Sequence, residues 1–158
     1  MTTDAAPRRS AAELAAAACA AFAVDPVGVG GVRVHAHAAP PRDAWLAALA
    51  AMLPADAPLR KLPAGATLDR VIGGLDLPAT LAAGRPVLEA GVLARADGGV
   101  VVAAMAERME AALAGPIAAA MDRGVVAIER DGLGSSLPAR FGLVLLDEGD
   151  EEEAPPAS

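Results

Sequence analysis

A parallel α/β sheet covered by helices on both faces, with one inserted β-hairpin, is the fold class this sequence predicts, and three observations carry it. The runs VVVAAM at 100–105 and FGLVLL at 141–146 are apolar without polar alternation, as expected of strands covered on both faces. Segments of helical periodicity lie between the strand-like runs, which is the arrangement of βαβ units. Asp131 and Gly132 stand between two further strand-like runs, the strongest local hairpin signal in the chain.

Taken in order, the chain first offers Ser10 and Glu13 at capping-box spacing, which opens an amphipathic helix over Ala11–Val24. Arg8 and Arg9 ahead of that alanine-rich stretch have the look of an export signal, but the carboxylate of Glu13 near its start argues against one, so a cytoplasmic protein is expected. Asp25, Pro26, Gly28 and Gly30 mark a loop, and a short buried strand follows from Gly31 to Val34. Trp45, Leu46, Leu49, Met52 and Leu53 recur at helical spacing until Pro54 stops the helix. Leu59 to Leu62 reads as a second strand, and Asp76 caps a short helix that ends at Gly84. Ala106 to Gly115 and Ile117 to Arg123 read as two helical pieces separated at Pro116. Phe141 to Leu146 is a last buried strand. The expected organisation is an N-terminal helix at 1–24, an α/β core at 25–146 and an acidic, proline-bearing tail at 147–158.

Composition narrows the function classes. With 158 residues the chain holds one domain and a single core. Hydrophobic residues make up 54% and mean hydropathy is +0.41, which disfavours disorder. No apolar run reaches the roughly 18 residues of a membrane span without Pro, Gly or charge. Cys19 is the only cysteine, so an internal disulfide is impossible, and among alanines on the first helix it reads as a buried, inert thiol. Of the net charge of −7, six negatives come from Asp147, Glu148, Asp150, Glu151, Glu152 and Glu153, which leaves the rest at −1. A near-neutral body of this kind gives nucleic acid no basic patch to bind.

The strand-to-helix junction VRVHAHAAPPRDAW at 32–45 is where an α/β nucleotide-binding protein carries its phosphate loop. In a loop of the form G-x-x-x-x-G-K-[ST], glycines let backbone N–H groups close on phosphates, lysine reaches the outer oxygens and the hydroxyl holds Mg²⁺. Those four positions fall here on Ala36, Pro41, Arg42 and Asp43. Only the positive charge survives; Pro40 and Pro41 donate no N–H, and Asp43 brings a negative charge to where phosphate and metal belong. The acids that end a hydrolytic strand are absent as well, since VVVAAMAERM places Ala104 and Met105 there, with Glu107 expected on the solvated first turn of a helix. His35 and His37 share one face of an extended segment, where Asp43 would complete a metal site, but two half-exposed histidines at a strand end are the plainer expectation. Ser135 and Ser136 lack a His–Asp context. Arg130 and Arg140, which flank the hairpin, are candidate partner contacts.

The stretches GVRVHAHAAPPRDAWLAALAAMLP, PAGATLDRVIGGLDLPATLAAGRPVLEAGVLARADGGVVV and VAIERDGLGSSLPARFGLVLLDEG resemble the AAA+ module of the magnesium chelatase ATPase subunits. DRVIGGLDL, GVLARADGG and the pair IERDG and PARF occur in order, and the resemblance covers about 25–149. It implies a P-loop NTPase-like sheet between helices. Because the I subunit keeps both the phosphate loop and the acidic strand end, loss of both implies the D type of bacteriochlorophyll-making bacteria. The resemblance further implies a hetero-oligomeric ring with I subunits, action on the H subunit, and a complex that uses ATP to insert Mg²⁺ into protoporphyrin IX, with hydrolysis left to the I subunits. The sensor-strand position, usually asparagine, falls on Glu148. The resemblance implies that a whole D subunit continues past the acidic segment into another strand, a helical lid, a linker and an integrin-like metal-binding domain, and that the arginine finger also falls in that further portion. The sequence is therefore read as truncated, with a sheet incomplete at its C-terminus and partner-dependent folding. Two rival expectations are an active AAA+ ATPase using Arg42 and Glu107, and a non-enzymatic α/β adaptor.

Overall fold

The computed structural model describes residues 10–130 and 133–149, with backbone alone at residues 129, 130 and 133. Helix α1 spans Ala11–Val24 and opens on the expected capping box, in which the Ser10 Oγ accepts from the Glu13 N–H and the Glu13 carboxylate accepts from the Ser10 N–H at 2.7 Å. A short α2 (Pro26–Val29), capped by Asp25, occupies the segment expected as loop. Then follow β1 (Gly31–His35), α3 (Pro40–Met52) and β2 (Leu59–Leu62). Next come α4 (Leu68–Ile72), β3 (Gly73–Leu75), α5 (Leu77–Ala83) and β4 (Leu88–Ala90). The last part contains β5 (Gly99–Ala103), α6 (Ala111–Arg123), β6 (Val125–Arg130), β7 (Leu133–Pro138) and β8 (Phe141–Asp147).

The main sheet is parallel, with strand order β1-β8-β5-β2. Its central strands carry side chains to two separate cores. Val101, Ala103, Phe141 and Leu143 meet Val71 of α4 and Leu113, Ile117 and Ala120 of α6. Val100, Val102, Val144 and Leu146 meet Cys19, Phe22 and Ala23 of α1 and Leu49 and Leu53 from α3 and its end. The result is a three-layer sandwich, and it explains why VVVAA and FGLVLL show no polar alternation. Gly142 is required in this arrangement: a Cβ there would lie 2.6 Å from Pro26 and 2.7 Å from the Phe22 ring, so α1 and α2 approach β8 only across a residue without a side chain.

Several expectations are corrected. Strand β1 is an edge of the sheet, alternating exposed and half-buried residues, and is not a buried strand. Pro116 does not divide α6, which runs unbroken through it. The proline removes one i→i−4 hydrogen bond, but Leu113, Ile117 and Ala120 seat the helix on the sheet to either side of it, so packing outweighs the local defect. The antiparallel β6–β7 hairpin is present, pairing Arg130 with Leu133, so the hairpin strands fit a two-residue connection; residues 131–132 of its turn lie outside the described residues. A second antiparallel ribbon, β3–β4, was not foreseen. Its strands are three residues each, too short to show alternation. Gly73, at φ +113°, lets this ribbon approach the first hairpin, since a Cβ there would stand 2.6 Å from the Ile128 Cδ1. Exposed Leu14 and Val24 on α1 and Leu77 and Leu81 on α5 are the large apolar side chains left most open on the helices. No helix among the described residues is long and apolar enough to cross a membrane.

Candidate functional site at the carboxyl end of the sheet

In open parallel sheets, ligands bind at the carboxyl ends of the strands. Here β1, β8 and β5 end side by side, at His35, Asp147 and Ala103. The segment between β1 and α3 is four residues, 36–39. Ala36 donates its N–H to the Asp147 carbonyl at 3.0 Å, which extends the β1–β8 ladder by one bond. Helix α3 then begins at Pro40 after Ala39, whose side chain forms no cap. Prolines suit that first turn, where the N–H groups have no helical partner. The next two donors are engaged inside the helix, since Arg42 and Asp43 both donate to the Ala39 carbonyl, at 3.0 and 3.2 Å. The first turn of α3 thus presents no free backbone donor to an anion.

The one cation of the loop is also occupied. Arg42, 13% exposed, forms an ion pair through Nη1 with the Glu148 carboxylate, which is 30% exposed. Its Nε lies 3.9 Å from Asp43 Oδ1 and is a buried nitrogen without a hydrogen-bond partner among the described residues. The Glu148 N–H donates to Glu107 Oε2 at 3.2 Å. Glu107 sits on a 3₁₀ turn, Ala106–Arg108, with its side chain only 19% exposed, so the expected solvated helical turn is corrected. Met105 starts that turn at φ 48°, the single non-glycine residue of positive φ among the described residues, and the Ala104 N–H bonds the Leu62 carbonyl at 3.1 Å. Neither Ala104 nor Met105 carries a group that holds Mg²⁺.

Beside this chain of contacts lies a second one. Asp147 is the buried acid of β8, one residue beyond the strand end expected from sequence. Its Oδ2 accepts from Arg33 Nε at 2.6 Å and lies 3.7 Å from His35 Nδ1, and its Oδ1 accepts from the Gly149 N–H at 2.9 Å. The Gly149 N–H and the Arg33 guanidinium hold this carboxyl below the ordinary carboxylate range, more than burial raises it. His35 therefore faces Asp147 and not Asp43, which is exposed. Among the described residues no group of three or more His, Cys, Asp or Glu side chains could hold a metal ion.

Arg130 and Arg140 are not brought together. Arg130 ends β6 at the hairpin tip, and its side chain lies outside the described residues. Arg140 precedes β8 at the opposite, amino end of the sheet, where its N–H donates to Asp97 Oδ1 at 2.8 Å and its exposed side chain passes over Gly124. Ser135 and Ser136 are β7 residues paired with Ile128 and Ala127. Cys19 is buried, its thiol pushed up by desolvation and lying 3.7 Å from the Trp45 carbonyl. A separate open cleft of about 470 Å³ lies between α4 and the β3–β4 ribbon, bordered by Asp69, Arg70, Glu89 and Arg95. Arg33 and Asp147 are site residues that sequence reasoning missed. The available signal was a basic residue on the β1 edge beside an acid closing an otherwise apolar strand.

No protein-family model matches the chain. It is 39% identical over 132 residues to the magnesium-chelatase 67 kDa subunit of Chlorobaculum parvum, a match covering 84% of this chain and 21% of that protein. To the 60 kDa subunit of Cereibacter sphaeroides it is 36% identical over 137 residues, covering 87% of this chain and 21% of the relative. The 38 kDa subunit of Acidiphilium rubrum shares 41% identity over a shorter 96 residues, or 61% of this chain and 27% of the relative. Among solved structures, the complex between subunits BchI and BchD of magnesium chelatase, from a cryo-EM reconstruction, matches with a TM-score of 0.70 and 29% identity, covering 90% of this chain and 54% of that one. The chain spans about 21% of the length of the larger curated relatives. Identity of 36–39% sustained over 84–87% of its residues, on the AAA+ fold of the same complex, makes this chain a homologue of one part of the magnesium-chelatase subunits.

Proposed function

We propose that the chain is the degenerate AAA+ module of a D-type magnesium-chelatase subunit, a scaffold that does not itself hydrolyse ATP. One observation carries the reading: the first turn of α3 has no free N–H, and its only cation, Arg42, is already paired with Glu148. The residues present do not fit a nucleotide phosphate, because an incoming phosphate would meet two prolines, Asp43 and the Glu148 carboxylate. Longer coverage by the 67 and 60 kDa relatives than by the 38 kDa one favours the D type.

On this reading, the I subunit is the partner that turns over ATP, in a hetero-oligomeric ring acting with the H subunit in the cytoplasm. Mg²⁺ and protoporphyrin IX are substrates of that assembly. The candidate phosphate-loop positions Ala36, Pro41, Arg42 and Asp43, and the acidic-strand positions Ala104 and Met105, serve as shape without chemistry. Phosphate release by the purified chain, alone and with a magnesium-chelatase 38 kDa subunit, tests this. The expected result is no turnover by the chain alone. Robust turnover that Arg42→Ala abolishes would overturn the reading and favour an active ATPase.

A further inference from the structure

We propose that the Glu148 carboxylate takes the structural place of a bound phosphate, so that the Arg42–Glu148–Glu107 chain of contacts holds the module in one arrangement whether or not nucleotide is present. The inference rests on the reading of this module as non-hydrolytic and names what replaces the nucleotide. Three elements meet at the carboxyl end of the sheet: the N-terminal turn of α3 through Arg42, the end of β8 through Glu148, and the turn after β5 through Glu107. Glu148 is the joint between the other two, giving its carboxylate to the guanidinium and its N–H to Glu107 Oε2. An external phosphate would make the first of these contacts from solvent; here the chain supplies the anion itself.

The direction of Glu148 is fixed by its neighbours. Gly149 folds back to bond Asp147 Oδ1, and Asp147 is anchored by Arg33 and by the Ala36 N–H on its carbonyl. Among the described residues, the other charged groups facing the pair are Asp43, 3.9 Å from Arg42 Nε, and Glu107 with its neighbour Arg108. Burial makes the pair obligatory. The Arg42 side chain is 13% exposed and its Nε is buried, so losing Glu148 leaves a largely buried cation without its partner. A solvated surface pair would have no such consequence.

A double-mutant cycle on the full chain, with Arg42→Met, Glu148→Ala and both together, tests this by denaturant unfolding with and without inorganic pyrophosphate. Glu148→Ala is expected to lower the folding constant roughly 100-fold, and the double variant to recover most of that loss, because it removes the stranded cation. Pyrophosphate is expected to stabilise Glu148→Ala, by roughly tenfold at ten times its Kd, and to leave wild type and the double variant unmoved. Glu107→Gln, which keeps an acceptor for the Glu148 N–H, is expected to match wild type, and Glu107→Ala to lose roughly tenfold. A Glu148→Ala chain that fails to fold beside a double variant that folds is the same result in stronger form. Additive effects across the cycle, failure of the double variant to recover, or pyrophosphate stabilising wild type overturns the inference. Those outcomes without ATP turnover leave the proposed scaffold role standing, whereas ATP turnover by wild type removes that role first.

Discussion

The two ends of the parallel sheet each use an acid and an arginine, in opposite ways. At the amino end, Asp97 accepts the backbone N–H of Arg140 and the Gly98 N–H returns to the Arg140 carbonyl, while the Arg140 side chain stays in solvent. The carboxylate there closes a turn, and the guanidinium has no role in it. At the carboxyl end, Asp147 and Glu148 take the guanidinium groups of Arg33 and Arg42, and the backbone N–H groups of Gly149 and Glu148 complete the network. The same residue types serve backbone geometry at one end and charge neutralisation at the other. The difference follows from burial: Arg140 is exposed, whereas Arg42 and Asp147 are held out of water.

The strongest way to break the comparison is to remove the sheet that both ends share. Phe141→Ala, which empties a buried position on β8, is expected to cost about 4 kcal/mol, read from the denaturant midpoint. Both ends should then lose protection from hydrogen exchange together. Next in size, Asp147→Ala at the carboxyl end leaves the Gly149 N–H and its arginine without an acceptor, for an expected loss of about 2 kcal/mol. Asp97→Ala at the amino end removes one backbone acceptor, and about 1 kcal/mol is expected. Arg140→Ala should fall within about 0.5 kcal/mol of wild type, because its exposed side chain carries no charge contact in the turn. If Asp97→Ala proved as costly as Asp147→Ala, the two ends would not differ in the way described.

Acid sharpens the same contrast. The folded state holds the Asp147 carboxyl below its unfolded value of about 3.9, so folding binds fewer protons there. The stabilising contribution is therefore fully present above pH of about 4 and is lost as pH falls through the lowered folded value. Asp147→Asn should flatten the acid limb of a stability-versus-pH curve. An acid limb unaltered by Asp147→Asn would show that other carboxylates set it.

Much of the fold was legible because it rests on local signals. The Ser10–Glu13 capping box, the Asp76 cap with Gly84 at the helix end, and the two uniformly apolar strands each announce themselves within a few residues. The errors came where tertiary contacts outweighed local rules. Pro116 sits inside α6 because the sheet holds the helix on both sides of it, and the β3–β4 ribbon exists because Gly73 and Gly91 permit backbone to meet backbone. The candidate site was half legible. The absence of glycine and lysine at Ala36, Pro41 and Arg42 could be read directly, but Asp147 and Glu148 looked like the start of a solvated acidic tail. Their partners, Arg33 and Arg42, are 114 and 106 residues away in sequence, and no periodicity links positions so far apart.

The sequence alone determined the layered α/β class, the strand-to-helix form of the β1–α3 junction and the residue types it does not carry, since these depend on hydrophobic period, caps and single side chains. Only the tertiary structure decided what became of the remaining charges. Parallel pairing of β1 and β5 with β8 brings three strand ends together, and once there, burial requires each charge to find a partner. Arg42, read in sequence as the one positive charge left at a degenerate phosphate-loop position, is in the fold the counter-ion of Glu148.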